Sequence, residues 1–173
     1  MRLLLLRHGS AVRRGAQADA DRPLTAAGEV QARAAAAALV RLRLVPERVL
    51  ASPVRRCRRT AEIVVEQLQP SDVPLTCVDA LAGGATPQKL LQLIADGADA
   101  QRVLVVGHQP DLEGLASYLL VGSGDAVLHL EPGGCICLES AKPGPPAILR
   151  WSMTPEQLRR IASSAAAGRR EPT

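Results

Sequence analysis

A chain of 173 residues, 47% hydrophobic and 22% charged, has the size and apolar content of one globular domain with a core of its own, which excludes a disordered chain. Aromatic residues make up only 1%, so that core must be aliphatic, and no apolar run approaches the roughly 20 residues of a membrane-spanning helix. The net charge of +4 is mild, and the arginines are not interleaved with aromatic rings that could stack bases; a site for an anionic substrate accounts for them better than nucleic acid does.

Residues 3–6 form a continuous apolar run that reads as a strand buried on both faces of a parallel sheet. The run is too short for the ~7–15 apolar residues of a secretion signal and is closed by Arg7, so the expected location is the cytoplasm. A polar loop passes through residues 19–24. Thr25 then fits an N-cap for a helix over 26–42, whose alanines favour that state. A second strand is predicted at 49–51. Pro53 is expected to open a helix reaching residue 68, with Ala61, Ile63, Val64 and Leu68 on its buried stripe.

Residues 70–74 read as a loop, Gly83-Gly84 as a turn, and Thr86-Pro87 as the start of a helix through Leu90, Leu91, Leu93 and Ile94. A third apolar strand spans 103–106. Gly107-His108-Gln109-Pro110 turns the chain into a helix over 111–120. Strands are predicted at 126–130, 135–138 and 147–151, and a last helix from Pro155 to 161. Residues 164–173 read as a flexible tail behind a domain of residues 1–163. Cys57, Cys77, Cys135 and Cys137 lack the spacing of a metal or redox motif and are expected to be reduced structural thiols, with Cys135 and Cys137 on one face of a strand.

This alternation predicts an α/β fold: a single-domain, doubly wound, mostly parallel sheet flanked by helices, with no cap domain. Ligands bind such sheets beyond the carboxyl ends of their strands. Arg7-His8, Ser52 and His108 each stand at such an end, so three segments are expected to converge on one crevice.

Leu6-Arg7-His8-Gly9 holds a histidine on rigid backbone beside a glycine that lets a ligand approach. In the segment from Ser52-Pro53 to Thr60-Ala61, a strand end feeds a helix N-terminus, an anion site in itself, and Arg56 lies in the first turn. Arg55, Arg58 and Arg59 read as a solvated basic face. Val106-Gly107-His108 repeats the strand–glycine–histidine arrangement, whereas His129, predicted mid-strand, reads as structural or surface. Two histidines and two arginines around a phosphate permit in-line attack by one neutral imidazole. Arg7, Arg56 and the other histidine, protonated, then stabilise the equatorial oxygens. These cations supply the positive charge, so neither metal nor cofactor is expected.

Arg7-His8-Gly9 resembles the signature of the histidine phosphatase superfamily, which includes phosphoglycerate mutases and acid phosphatases. Ser52-Pro53 with Arg56 resembles its second motif, Gly107-His108 its late histidine motif, and Arg22-Pro23-Leu24-Thr25 with Gly28-Glu29 the segment that closes the site. The chain is similar to the short, capless branch of bacterial protein-phosphohistidine phosphatases, because only ~50 residues separate Arg56 from His108. The resemblance implies that His8 is the nucleophile, that Arg7, Arg56 and His108 bind and polarise phosphate, and that Arg22, Ser52 and Gly9 contribute to substrate binding. Many members also carry an acid between the second and third motifs; the nearest match here is Asp79.

The implied activity is a metal-independent phosphatase acting on phosphohistidine of a protein. The alternatives are a small phosphomonoester, such as a sugar or prenyl phosphate, or a phosphate-binding adaptor without turnover. The expected partner is thus a phosphorylated protein or small phosphorylated substrate, with no nucleic acid or membrane, and the expected state is a monomer.

Overall fold

The computed structural model describes residues 1–13, 15, 18–68, 72–96, 100–125 and 127–164, so the predicted tail lies outside the described residues beyond Ser164. In chain order the elements are β1 (Arg2–Arg7), α1 (Ala26–Arg41), β2 (Arg48–Ala51), α2 (Arg55–Gln67), β3 (Leu75–Cys77), α3 (Pro87–Ala95), β4 (Arg102–Gly107), α4 (Asp111–Val121), β5 (Cys135–Glu139), β6 (Ile148–Met153) and α5 (Pro155–Ser163). Short 3-10 turns stand at Asp19–Asp21 and Asp79–Leu81.

The strands form one sheet in the order β3-β2-β4-β1-β5-β6. The three apolar runs predicted as parallel neighbours lie side by side as β2, β4 and β1. β3 continues the parallel set, and β5 and β6 add antiparallel strands at the other edge. Side chains alternate across the sheet and both faces are covered, which is why these runs are apolar throughout. Leu4, Leu6, Leu104, Val106, Cys135 and Cys137 pack under α1, α2 and α5. Leu3, Leu5, Val103, Val105 and Ile136 pack under α3 and α4.

α1 starts where Thr25 Oγ1 accepts the Gly28 N–H at 3.0 Å, and its buried face is mostly alanine, which lets it lie between α2 and α5. Two glycines set how closely the chain after β1 meets this helix. A Cβ on Gly28 would stand 2.1 Å from the Ser10 carbonyl oxygen, and one on Gly9 would stand 2.4 Å from the Gly28 oxygen. Glycine is needed at both for steric reasons.

The structure departs from the sequence expectations in three places. α2 begins at Arg55 rather than at Pro53, because Ser52 and Pro53 are spent on a turn in which Ser52 Oγ accepts the Val54 N–H at 3.3 Å. Residues 127–130 form no strand; their amides bond instead to side chains of α4, Val127 N–H to Ser117 Oγ at 2.9 Å and Leu130 N–H to Glu113 Oε1 at 2.7 Å. β3 was not predicted, since this partly exposed three-residue edge strand carries no apolar run.

Gly28→Ala forces the α1 N-terminus away from Ser10. Such overpacking typically costs about 1–3 kcal/mol. Denaturant unfolding should report a loss in that range, with a matching fall in activity; an unchanged midpoint would refute the close-contact argument.

Candidate active site

The register of the parallel strands builds the site. Arg7, the last residue of β1, pairs with Gly107, the last of β4, so the next residues, His8 and His108, leave the sheet side by side. The His8 N–H donates to the Gly107 carbonyl at 3.1 Å, and the two imidazole centroids lie 5.4 Å apart. Ser52 follows β2 and donates its N–H to Val106 at 3.0 Å. Three strand ends therefore converge, and the first turn of α2 brings Arg56 in among them.

Arg56 is only 7% exposed and contacts both histidines. Its Nε donates to His8 Nε2 and its Nη2 to His108 Nδ1, each at 3.2 Å. The remaining reach is toward the first 3-10 turn: Nη1 donates to the Asp19 carbonyl at 2.7 Å and Nη2 to Asp19 Oδ2 at 3.1 Å. His8 Nδ1 lies 2.8 Å from the Gly9 carbonyl oxygen, which can only accept. The proton is thus on Nδ1, and Nε2 carries the lone pair. His108 has the opposite tautomer: Nδ1 accepts from Arg56, so Nε2–H donates to Ser52 Oγ at 2.8 Å. Arg7 donates Nη1 to the Leu130 carbonyl at 2.7 Å, and its Nε is buried with no acceptor among the described residues.

Burial, with the nearby Arg56, lowers both imidazoles to about 4; at His8 the hydrogen bond to Gly9 opposes this, and at His108 the facing His8 adds to it. His8 is therefore neutral at physiological pH, as a nucleophile must be. In the free site His108 is neutral as well, through desolvation and the neighbouring guanidinium; the protonated His108 expected from the sequence belongs to the phosphate-bound site. The thiol of Cys57 touches the same ring, 3.4 Å from His108 Nε2; burial pushes it up to about 12, so it stays a neutral packing group.

The other predicted residues are placed less directly. Gly9 donates its N–H to Thr60 Oγ1 at 3.2 Å, which anchors the turn after β1 to α2. Arg22 reaches the site through Asp19, donating Nε to Oδ1 at 2.9 Å and Nη1 to the Val12 carbonyl at 2.9 Å. Asp79 stands exposed at the start of the second 3-10 turn and, among the described residues, forms no hydrogen bond to the four central side chains. His129 lies exposed in the irregular segment before β5, beside Glu113.

Two residues had been missed. Asp19 is the carboxylate that meets Arg56. Slight burial raises its pKa, but Arg56 and Arg22 outweigh this and hold it below the ordinary carboxylate range. Its spacing of three from Arg22, an ion-pair distance on a helical turn, was the available signal. Glu113 is buried in the first turn of α4, where sequence reads it only as a charge suited to a helix N-terminus. Among the described residues, no cluster of three or more His, Cys, Asp or Glu side chains is arranged to hold a metal ion.

Residues 3–82 match the histidine phosphatase superfamily, branch 1. Over 143 residues the chain is 36% identical to an uncharacterized protein of Picosynechococcus sp. strain PCC 7002, covering 81% of this chain and 86% of that one. The chain belongs to the histidine phosphatase superfamily. This histidine phosphatase superposes on the protein histidine phosphatase SixA solved with tungstate at a TM-score of 0.79, with 26% identity, over 91% of its own length and 99% of that chain. The α-ribazole phosphatase of Shigella flexneri shares the fold at a TM-score of 0.72 and 19% identity, over 90% and 97% of the two chains. The enzyme is a phosphatase of this superfamily.

The depressed histidines link stability to pH. Unfolded imidazoles take up protons near 6.5 and the folded ones near 4, so between these values the unfolded state binds more protons. That contribution is complete above pH 6.5 and is lost as pH falls toward 4. The melting temperature should drop across this window, and Ser52→Ala, which leaves His108 buried, should preserve the drop. Tungstate should restore part of it, since an anion favours protonated His108. A flat profile from pH 7 to 4.5 would contradict the neutral-histidine site.

Proposed function

We propose that this histidine phosphatase removes phosphate from phosphohistidine on a protein, through a covalent phosphohistidine on His8. The His8 Nε2 lone pair attacks phosphorus in line, the P–N bond to the substrate imidazole breaks, and water supplies the proton that the departing nitrogen takes up. Water then attacks the phosphoryl group, the P–Nε2 bond breaks, and phosphate leaves. Arg7, Arg56 and His108 hold the equatorial oxygens, with the arriving phosphate dianion favouring protonation of His108. Ser52 fixes the His108 ring, Gly9 the His8 tautomer, and Arg22 acts from the adjoining loop.

One observation carries the choice of substrate. The carboxylate beside the phosphate-binding residues is Asp19, and Arg56 with Arg22 holds it ionised, so it is a poor proton donor. An alkyl phosphate releases an alkoxide that needs a proton as the bond breaks, and a positioned acid contributes about 10²–10⁴-fold. A phosphoramidate releases an imidazole nitrogen, which depends less on such an acid. A groove of about 780 Å³ beside Arg56, lined by apolar residues such as Leu24 and Val54 and by charged ones of both signs, Arg55, Arg59, Glu29 and Glu62 among them, supports a substrate with a body larger than a single sugar.

A panel of phosphohistidine protein, aryl phosphate, sugar phosphate and prenyl phosphate decides between the readings. Phosphohistidine protein should give the highest kcat/KM, and His8→Ala should abolish turnover of every substrate. Arg56→Ala should keep the fold and lose roughly two to three orders of magnitude, as loss of a preorganised donor does. A sugar or prenyl phosphate hydrolysed faster than phosphohistidine would move the enzyme to the small-molecule class. An inert protein that binds phosphate would make it an adaptor.

Asp79 is proposed as the acid for alkyl phosphates only. Asp79→Asn should leave phosphohistidine turnover nearly unchanged and slow an alkyl phosphate, if that is accepted. An equal, large loss on both substrates would make Asp79 an obligatory acid and remove the leaving-group argument.

A further inference from the structure

We propose that Glu113 is a positioning residue of this phosphatase: its carboxylate holds the backbone of Leu130 through the N–H, and the carbonyl of the same residue in turn anchors the Arg7 guanidinium. The inference rests on the reading above that Arg7 binds the phosphoryl group.

Glu113 lies on the first turn of α4, five residues past His108, with a side chain only 5% exposed. Burying a carboxylate is costly unless donors surround it. The donors here come from both ends of one segment. Oε1 accepts the Leu130 N–H at 2.7 Å and the Gln109 Nε2 at 2.9 Å, while Oε2 accepts the same Gln109 amide at 2.8 Å. His129 Nδ1 lies 3.3 Å from Oε1. Both backbone polar groups of Leu130, on either side of its Cα, are thereby committed. Its N–H goes to Glu113, and its C=O accepts Arg7 Nη1 at 2.7 Å.

Residues 127–130 have no ladder to place them, so the carboxylate does what sheet pairing does elsewhere. The chain that follows wraps directly behind the nucleophile: the Gly133 N–H donates to the Arg7 and His8 carbonyls at 3.1 and 2.9 Å. A shift of Leu130 is therefore a shift of Arg7. Glu113 also reaches Arg7 through space. Desolvation lowers the arginine, and Glu113 is the foremost group that opposes it. Hydrogen bonding alone could be met by a glutamine; a charge at this depth makes sense as the counterpart of Arg7.

A double-mutant cycle on the full chain separates positioning from mere packing. The variants are Glu113→Ala, Glu113→Gln, Arg7→Ala and the two doubles, assayed for kcat and KM on an aryl phosphate and for inhibition by tungstate. Arg7→Ala alone tests the underlying reading; if it leaves turnover and tungstate inhibition intact, Arg7 does not bind phosphate and the inference falls with it. With Arg7 present, Glu113→Ala should lower kcat/KM about 10–100-fold and weaken tungstate inhibition, the size expected of residues coupled through a shared partner. Glu113→Gln, which keeps the shape and an acceptor for the Leu130 N–H but loses the charge facing Arg7, should recover only part of that loss and keep a severalfold deficit. In the Arg7→Ala background either substitution should change kcat/KM by less than about twofold. The same loss in both backgrounds would make Glu113 a structural residue only, and no loss with Arg7 present would overturn the proposal. If Glu113→Ala fails to fold, the cycle stands on Glu113→Gln.

Discussion

The Arg56 guanidinium, held out of water between two imidazoles, is the interaction on which the rest of this enzyme depends. It donates to His8 Nε2 and to His108 Nδ1 at the same 3.2 Å. Burial, with this cation adding to it, keeps both rings uncharged, and the buried cation leaves the site in want of an anion. The sheet exists, from the site's point of view, to bring three strand ends within reach of this one side chain. The register pairing Arg7 with Gly107 sets the histidines side by side. The Ser52-Pro53 turn delays the start of α2 just enough to put Arg56 in its first turn, with Thr60 one turn further on to receive the Gly9 amide. The glycine contact between Gly9 and Gly28 then seats α1 against the same loop.

In the free enzyme Asp19 supplies the anion. Its carboxylate and its carbonyl both meet Arg56, and Arg22 completes the pair. A phosphoryl group, with more charge and three oxygens, competes for the same donors, since a planar guanidinium takes phosphate as well as carboxylate. Two consequences follow from one electrostatic fact. The neutrality of His8 suits it to the proposed attack, and the ionisation of Asp19 makes it a weak acid, so under the proposed mechanism the site is strong in attack and poor in assisting departure. That imbalance fits a substrate whose leaving group is already good.

Much of this was legible in the sequence. His8 and His108 were found because four-residue apolar runs end directly before a short turn that carries each of them, and Arg56 because a strand end and a proline fix where a helix can begin. The residues that escaped detection act through contacts that no local pattern records. Asp19 meets Arg56 across 37 positions, and Glu113 meets Leu130 across 17. The irregular path of residues 127–130 escaped for the same reason, since an apolar segment read as a strand where side chains of α4 hold the backbone instead. β3 was invisible because three partly exposed residues at a sheet edge need no apolar pattern.

The tautomer of His8 makes the account specific to a single atom. Nδ1–H is committed to the Gly9 carbonyl at 2.8 Å, which leaves Nε2 as the nitrogen available for the proposed attack. Rapid quenching of the enzyme with phosphohistidine protein, followed by fragmentation mass spectrometry and phosphorus NMR of the trapped species, locates the phosphoryl group. The account predicts an acid-labile adduct on His8, bonded through Nε2. An adduct on His108, or one on Nδ1 of His8, would contradict it.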